Sequence, residues 1–148
     1  GAIKYEVTCL KGSAEIKFVP YLDSSIKNQD SNWDDKFWNT TKITSEGHQA
    51  FIEAHTMKTN FATCTFMESY LKHNGKKLQS KPTEITGENL VGLAYQQLVK
   101  QGESLTLYKF GGYTVSRNHP PSELVQVAKK NMQKATQSGF EKMLGEQK

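Results

Sequence analysis

YLKHNGKKL, residues 70–78, is the stretch that decides the fold. Asn74-Gly75 supplies the two positive φ angles that a type I′ hairpin turn requires. The segment just before it, ATCTF at residues 62–66, consists mainly of residues with strong β propensity. This part of the chain therefore predicts antiparallel strands joined by a tight turn.

Alternation of apolar and polar residues predicts more strands along the chain. The pattern is clear at residues 3–9 and 14–18, where every second residue is apolar or carries sulfur, and residues 104–110 alternate through Leu105, Leu107 and a partner at Lys109 or Phe110. Residues 45–56 are ambiguous: Ser45 could cap a helix, but the β-rich segment that follows favours a strand. Both alternatives stay open at this point.

Two segments have helical spacing. In the first, Thr86 can cap a helix that ends near Gly102. Its apolar residues fall on one face: Leu90, Val91, Ala94 and Leu98. The second begins at Pro120-Pro121-Ser122-Glu123 and continues to about Gln137. Its predicted buried stripe consists of Leu124, Ala128, Met132 and Ala135.

The order of these elements predicts a single α+β domain over residues 1–148. We expect an antiparallel β-sheet of five to seven strands with two amphipathic helices packed on one face. At 148 residues the chain is long enough to bury its own core.

Composition narrows the classes of partner. The chain has 19 basic and 15 acidic residues, a net charge of +4. Arg117 is its one arginine, whereas proteins that read bases or phosphates normally use several. This argues against a nucleic-acid partner. No apolar run reaches the roughly 20 residues of a membrane-spanning helix, so we expect no membrane span.

The two cysteines, Cys9 and Cys64, both lie in predicted strands. One long-range disulfide between them is possible, and two buried free thiols are the alternative. The disulfide hypothesis, with a chain that begins with Gly1 instead of Met, favours a secreted or periplasmic protein. A cytoplasmic location stays open.

Aromatic residues embedded among acids mark the long polar segment 23–38. Trp33, Phe37 and Trp38 are the predicted anchors for a protein partner, with Asp34 and Asp35 beside them. The leading hypothesis is a non-enzymatic protein-binding domain, such as an exported or periplasmic inhibitor or immunity-type protein. Ordinary core packing is the alternative for all three aromatic residues.

Two alternative functions rest on other residues. Arg117, Asn118 and His119 precede the predicted second helix and could form an anion or phosphate site in an enzyme or a small-ligand binder. The lysines between Lys72 and Lys81 could bind nucleic acid. We predict no catalytic residue, no metal and no cofactor, because no phosphate loop, dinucleotide fingerprint or nucleophile elbow is present. This lowers the expectation of an enzyme without excluding one.

Overall fold

The structure, a computed structural model, describes residues 1–27 and 36–147, which contain ten β-strands, a 3₁₀ turn and two helices. The strands are β1 (Ala2–Thr8), β2 (Ser13–Phe18), β3 (Tyr21–Asp23), β4 (Trp38–Glu46), β5 (Gln49–Thr56), β6 (Ala62–His73), β7 (Lys76–Lys77), β8 (Thr83–Thr86), β9 (Leu90–Lys100) and β10 (Ser104–Val115). The 3₁₀ turn is Pro121–Glu123, and the helices are α1 (Leu124–Ser138) and α2 (Phe140–Gly145). Within the described ranges no helix is long and apolar enough to cross a membrane.

The strands form two antiparallel sheets. The larger has the order β1-β10-β6-β5-β4, with β7 paired to β6, and in the smaller β9 pairs with β2, β3 and β8. β2 and β3 keep one register along β9, with Phe18 opposite Tyr95 and Tyr21 opposite Gly92. Pro20 separates them because it has no N–H for the ladder, yet its carbonyl oxygen accepts an N–H from β9 over 2.9 Å. β2 and β3 are therefore one interrupted strand.

The inner faces of the two sheets form the main core. Side chains alternate between the two faces of a strand, so each strand contributes every second residue to this core. The larger sheet contributes Ala50, Ile52, Met67, Leu71, Leu105 and Leu107, and the smaller contributes Leu22, Val91, Leu93, Tyr95 and Val99. The architecture is a β-sandwich.

Helix α1 covers part of the outer face of the larger sheet. Leu124, Ala128 and Met132 are buried on one side of the helix and pack with Phe51 and Phe66. This confirms the helix predicted after Pro121, because a spacing of four residues places these side chains in one stripe. It ends where Gly139 adopts a φ of 78°.

The predicted α+β fold with two helices on one sheet is wrong. The predicted helix between Thr86 and Gly102 is β9, the central strand of the smaller sheet. Val91, Leu93, Tyr95 and Val99 are buried at alternating positions, whereas Leu98 of the supposed helical face is 53% exposed. The buried residues of this segment therefore follow the two-residue period of a strand and not the spacing of a helix.

Two local predictions are confirmed. Asn74 and Gly75 have φ angles of 48° and 78° and connect β6 to β7, as a type I′ turn requires. Residues 45–46 and 49–56 are extended, as favoured, but they belong to the end of β4 and all of β5, with a turn at Gly47-His48 between them.

The predicted disulfide is wrong, since Cys9 and Cys64 are both buried free thiols. Thr8, next to Cys9, pairs with Ser104 at the start of β10, whereas Cys64 pairs with Thr114 near its end. Ten residues of strand separate these positions, roughly 33 Å, and a disulfide needs Cα atoms within about 7 Å. The expectation of an exported or periplasmic protein loses this support and stays a prediction.

Candidate functional site

A groove opens at one end of the sandwich, where the larger sheet extends beyond the smaller. Its floor consists of two rows of paired residues across β5, β6 and β10. Ile52 pairs with Thr65, which pairs with Tyr113. The next row is Ala54, Thr63 and Val115 in the same strand order. These side chains face inward: Ile52 and Ala54 are buried, Thr63 and Val115 are half-buried, and Thr65 and Tyr113 are exposed. We call this site the end groove.

The walls of the end groove are aromatic and aliphatic. Its volume is about 560 Å³, and its described lining residues are Leu22, Asp23, Ser24, Ile26, Trp38, Ile52, Ala54, Phe61, Thr63, Thr65, Tyr113 and Val115. Trp38 and Phe61 lie with their ring centroids 6.4 Å apart at an angle of 60°. Tyr113 is 74% exposed. A volume of this size and a mostly apolar lining with few polar groups are typical of ligand sites.

A set of hydrogen bonds fixes the rim. The Ser24 hydroxyl lies 2.7 Å from the Thr40 hydroxyl and donates to the Asn89 carbonyl oxygen over 3.1 Å. Thr40 in turn donates to the Asn89 side-chain oxygen over 3.0 Å. These contacts hold the residues after β3 against β4 and against the loop before β9. The rim is thus positioned by both sheets.

The polar groups of the end groove are mainly hydrogen-bond acceptors and hydroxyls. Asp23 Oδ1 accepts the Ser25 N–H over 2.8 Å, and hydrogen bonds from Ser25 lower the pKa of this carboxyl. Asp23 is therefore ionised near neutral pH. Among the described lining residues there is no lysine, arginine or histidine. The groove can accept hydrogen bonds from a neutral ligand, but its described lining offers no cation for an anionic one.

Metal binding has no support in the part of the chain that the structure describes. There, no three His, Cys, Asp or Glu side chains lie close enough to share a metal ion. A second cleft, of about 250 Å³, lies near the start of α1. Glu53 and His55 both line it, and so do Thr41, Asn60 and Leu124.

The aromatic residues predicted as anchors have different positions. Trp38 lines the end groove at the start of β4, and Phe37 is 36% exposed just before it. Phe37 uses its backbone carbonyl oxygen to accept the Met57 N–H over 2.9 Å. Trp33, Asp34 and Asp35 lie outside the described residues. Their role in binding a partner stays a prediction.

The predicted anion site does not coincide with the end groove. Arg117 and Asn118 are exposed and His119 is half-buried, in the turn between β10 and Pro121–Glu123. The Asn118 N–H donates a hydrogen bond within that turn, to the Val115 carbonyl oxygen over 3.1 Å. None of the three lines the end groove or the cleft beside α1.

The lysines between Lys72 and Lys81 lie on the outer face of the larger sheet and around its β6–β7 hairpin. Lys72 Nζ is 5.0 Å from the ring centroid of Tyr108, and Lys77 Nζ is 4.3 Å from that of Tyr70. The two tyrosine rings are stacked at 5.1 Å. Two of these lysines are therefore packed on aromatic rings of their own sheet.

Sequence reasoning missed Phe61, Tyr113 and the two threonines of the floor. A signal for Tyr113 was present, because Leu105 and Leu107 alternate in phase with it. We expected the strand to end before Gly111-Gly112, but β10 continues through both glycines to Val115. Extending the alternation would have placed Tyr113 on the inner face.

Comparison with known proteins identifies the family. Residues 1–148 match the family described as glycosyl hydrolase family 65, N-terminal domain. Maltose phosphorylase of Bacillus subtilis (strain 168) is 31% identical over 140 residues, which are 95% of this chain and 18% of that protein. Alpha,alpha-trehalose phosphorylase of Thermoanaerobacter brockii is 27% identical over 154 residues, 99% of this chain and 20% of that protein.

A solved structure has a similar fold. The chain described as "Putative kojibiose phosphorylase from human microbiome" superposes with a TM-score of 0.66 at 21% identity, over 88% of this chain and 16% of that one. The present chain thus spans about a fifth of the length of the curated relatives that it matches.

These matches correct the functional interpretation made from the sequence. An inhibitor or immunity-type protein is wrong, because the relatives are phosphorylases, and phosphorylases are enzymes. The matches do not test the alternatives based on Arg117, Asn118 and His119 or on the lysines from Lys72 to Lys81, which stay predictions. The chain belongs to glycosyl hydrolase family 65, whose N-terminal domain it matches along its whole length.

Proposed function

We propose that this chain is the N-terminal sandwich domain of a disaccharide phosphorylase. The observation that carries the proposal is the family match over residues 1–148, together with relatives named for the phosphorolysis of maltose and trehalose. Maltose, trehalose and kojibiose each consist of two glucose units joined by α-linkages. The substrate class is therefore an α-linked glucose disaccharide, cleaved by phosphate instead of water.

The chemistry of the end groove supports a domain that does not cleave the glycosidic bond itself. Phosphorolysis needs a proton donor at the leaving oxygen and positive groups around the phosphate. Asp23 is the carboxyl group among the described lining residues, and its lowered pKa makes it an acceptor and a poor proton donor. In this proposal the reacting groups belong to the rest of the enzyme, which is also the first candidate for the predicted protein partner.

The test uses the complete polypeptide that carries this chain. Purified polypeptide is incubated with maltose, trehalose or kojibiose, with and without inorganic phosphate, and released glucose is measured. We expect phosphate-dependent release from at least one disaccharide, and none from residues 1–148 alone at the same molar concentration. Glucose release that needs no phosphate, no release from any of the three, or activity of residues 1–148 alone would each contradict the proposal.

A further inference from the structure

The floor of the end groove has a pattern that an ordinary core lacks. Thr63 and Thr65 of the central strand place two hydroxyl-bearing side chains in the middle of the floor, and Ile52, Ala54 and Val115 lie beside them. The Thr63 hydroxyl donates to the Ala54 carbonyl oxygen over 3.5 Å and keeps its lone pairs for a further hydrogen bond, and Thr65 is exposed where it lines the groove. The pattern therefore favours an occupant that is itself both apolar and hydroxylated.

The aromatic rings extend this pattern to the walls. Tyr113 is 74% exposed at one end of the first row, and Trp38 and Phe61 lie together elsewhere on the groove wall. A row of three strands spans two strand spacings, about 10 Å, which is comparable to the length of two linked pyranose rings. One face of a pyranose ring carries mainly C–H groups and packs on an aromatic ring, while its hydroxyls remain at the edge.

The charge of the end groove favours a neutral sugar over a sugar phosphate. Asp23 is ionised and accepts hydrogen bonds, and no cationic side chain is among the described lining residues. The Asp23 carboxylate beside the groove would repel a phosphate group, whereas a neutral sugar carries no charge for it to repel. The groove volume of about 560 Å³ lies within the range of small-molecule sites and can hold a disaccharide.

We propose that the end groove is a binding site for a neutral glucose saccharide, with Tyr113 as its main stacking platform. Thr63 and Thr65 bond its hydroxyls. The inference rests on the proposed function, because it takes its ligand class from the disaccharide phosphorylases. It adds a site for that ligand class within the N-terminal domain.

The experiment titrates ¹⁵N-labelled residues 1–148 with maltose, trehalose and kojibiose and follows amide chemical shifts. We expect saturable shifts at Thr63, Thr65 and Tyr113 with at least one sugar. Tyr113→Ala should weaken binding roughly tenfold or more, because it removes the exposed ring. The matched control is Tyr5→Ala, since Tyr5 is also exposed, at 57%, and lies on the edge strand β1.

A second pair of variants tests the hydroxyl contacts. Thr65→Val keeps the shape of the floor but removes one hydroxyl, so it should weaken binding several-fold. Thr83→Val on the exposed strand β8 is its control and should leave binding unchanged.

Four results would overturn the inference: no saturable shift up to about 100 mM sugar, shifts confined to other surfaces, equal losses from Tyr113→Ala and Tyr5→Ala, or binding of an apolar dye in the groove without binding of any sugar. Binding of an apolar dye in the groove, with no binding of any sugar, would identify the groove as an apolar docking site. If the complete polypeptide still shows phosphorolysis in such a case, the proposed function stands and only the sugar site is rejected.

Discussion

The Tyr95 hydroxyl of β9 donates a hydrogen bond to the Ser69 backbone carbonyl oxygen of β6, over 2.6 Å, and so connects the two sheets through the core. The pairing of β5 with β6 ends at Glu68, one residue earlier. The Ser69 N–H bonds to the His48 carbonyl oxygen of the turn at 3.0 Å, and Tyr95 supplies the partner for the Ser69 carbonyl. Burial raises the pKa of Tyr95 to about 12, so the hydroxyl keeps its proton.

Tyr95→Phe should lower the free energy of unfolding by about 1–3 kcal/mol, because a buried carbonyl loses its donor. Urea unfolding followed by circular dichroism measures this change. Tyr5→Phe is the control, since that ring is 57% exposed and its hydroxyl can be solvated. Equal stability of the two variants would show that the bond between the sheets contributes nothing.

Stability should also depend on the protonation of His48. Burial, and to a smaller extent the positive charge of Lys77, lowers the pKa of His48 below 6.5, while Glu68 and the Ser69 backbone act in the opposite direction. The unfolded chain thus binds a proton more readily than the folded chain. The contribution of His48 is complete above about pH 6.5 and is lost as the pH falls from there through the lowered pKa of the folded state.

The measurement compares this chain with His48→Gln by urea unfolding between about pH 8 and pH 5. The difference in unfolding free energy between the two should shrink as the pH falls. A constant difference over this range would mean that His48 does not titrate differently in the two states.

Features set by neighbouring residues could be predicted from the sequence, and those set by distant ones could not. The turn at Asn74-Gly75 needs only the backbone preferences of two residues, and α1 needs only one stripe of apolar side chains. In β9 the apolar residues satisfied both a helical and an alternating pattern. The choice depended on the larger sheet, whose buried face requires a second sheet opposite it.

The candidate site was only partly predictable for the same reason. Trp38 was singled out as an aromatic residue, but Thr63, Thr65 and Tyr113 become neighbours only through the pairing of β6 with β10. The error over Cys9 and Cys64 has the same origin. Two cysteines in strands are compatible with a disulfide until the register places them at opposite ends of the sheet.

Cys64 should be unreactive in the folded chain. Burial is the main cause that raises the pKa of its thiol to about 12, so hardly any thiolate exists at pH 8. Cys9→Ser leaves Cys64 as the single cysteine and isolates its reaction with a disulfide reagent. We expect labelling only after unfolding in urea. Rapid labelling of the native variant would contradict the buried position of Cys64.

The same reagent tests the corrected disulfide assignment in the unaltered chain. Without reductant, two thiols of the urea-unfolded chain should react with the reagent, one at Cys9 and one at Cys64. If neither cysteine reacts until a reductant is added, Cys9 and Cys64 form a disulfide.

A larger side chain at Gly112 should destabilise the fold, because the Phe66 ring lies against Gly112 in the middle of the larger sheet. A Cβ atom on Gly112 would lie 3.0 Å from Phe66 Cζ, and this ring is 6% exposed and packed among the residues beneath α1. Gly112→Val should therefore lower the free energy of unfolding by about 1–3 kcal/mol through overpacking. Phe66→Leu in the same chain removes the ring atoms that collide, so the double variant should lose less than the sum of the two single losses. Urea unfolding of the four chains measures this coupling, and simple additivity would show that the ring is not what excludes a side chain at Gly112.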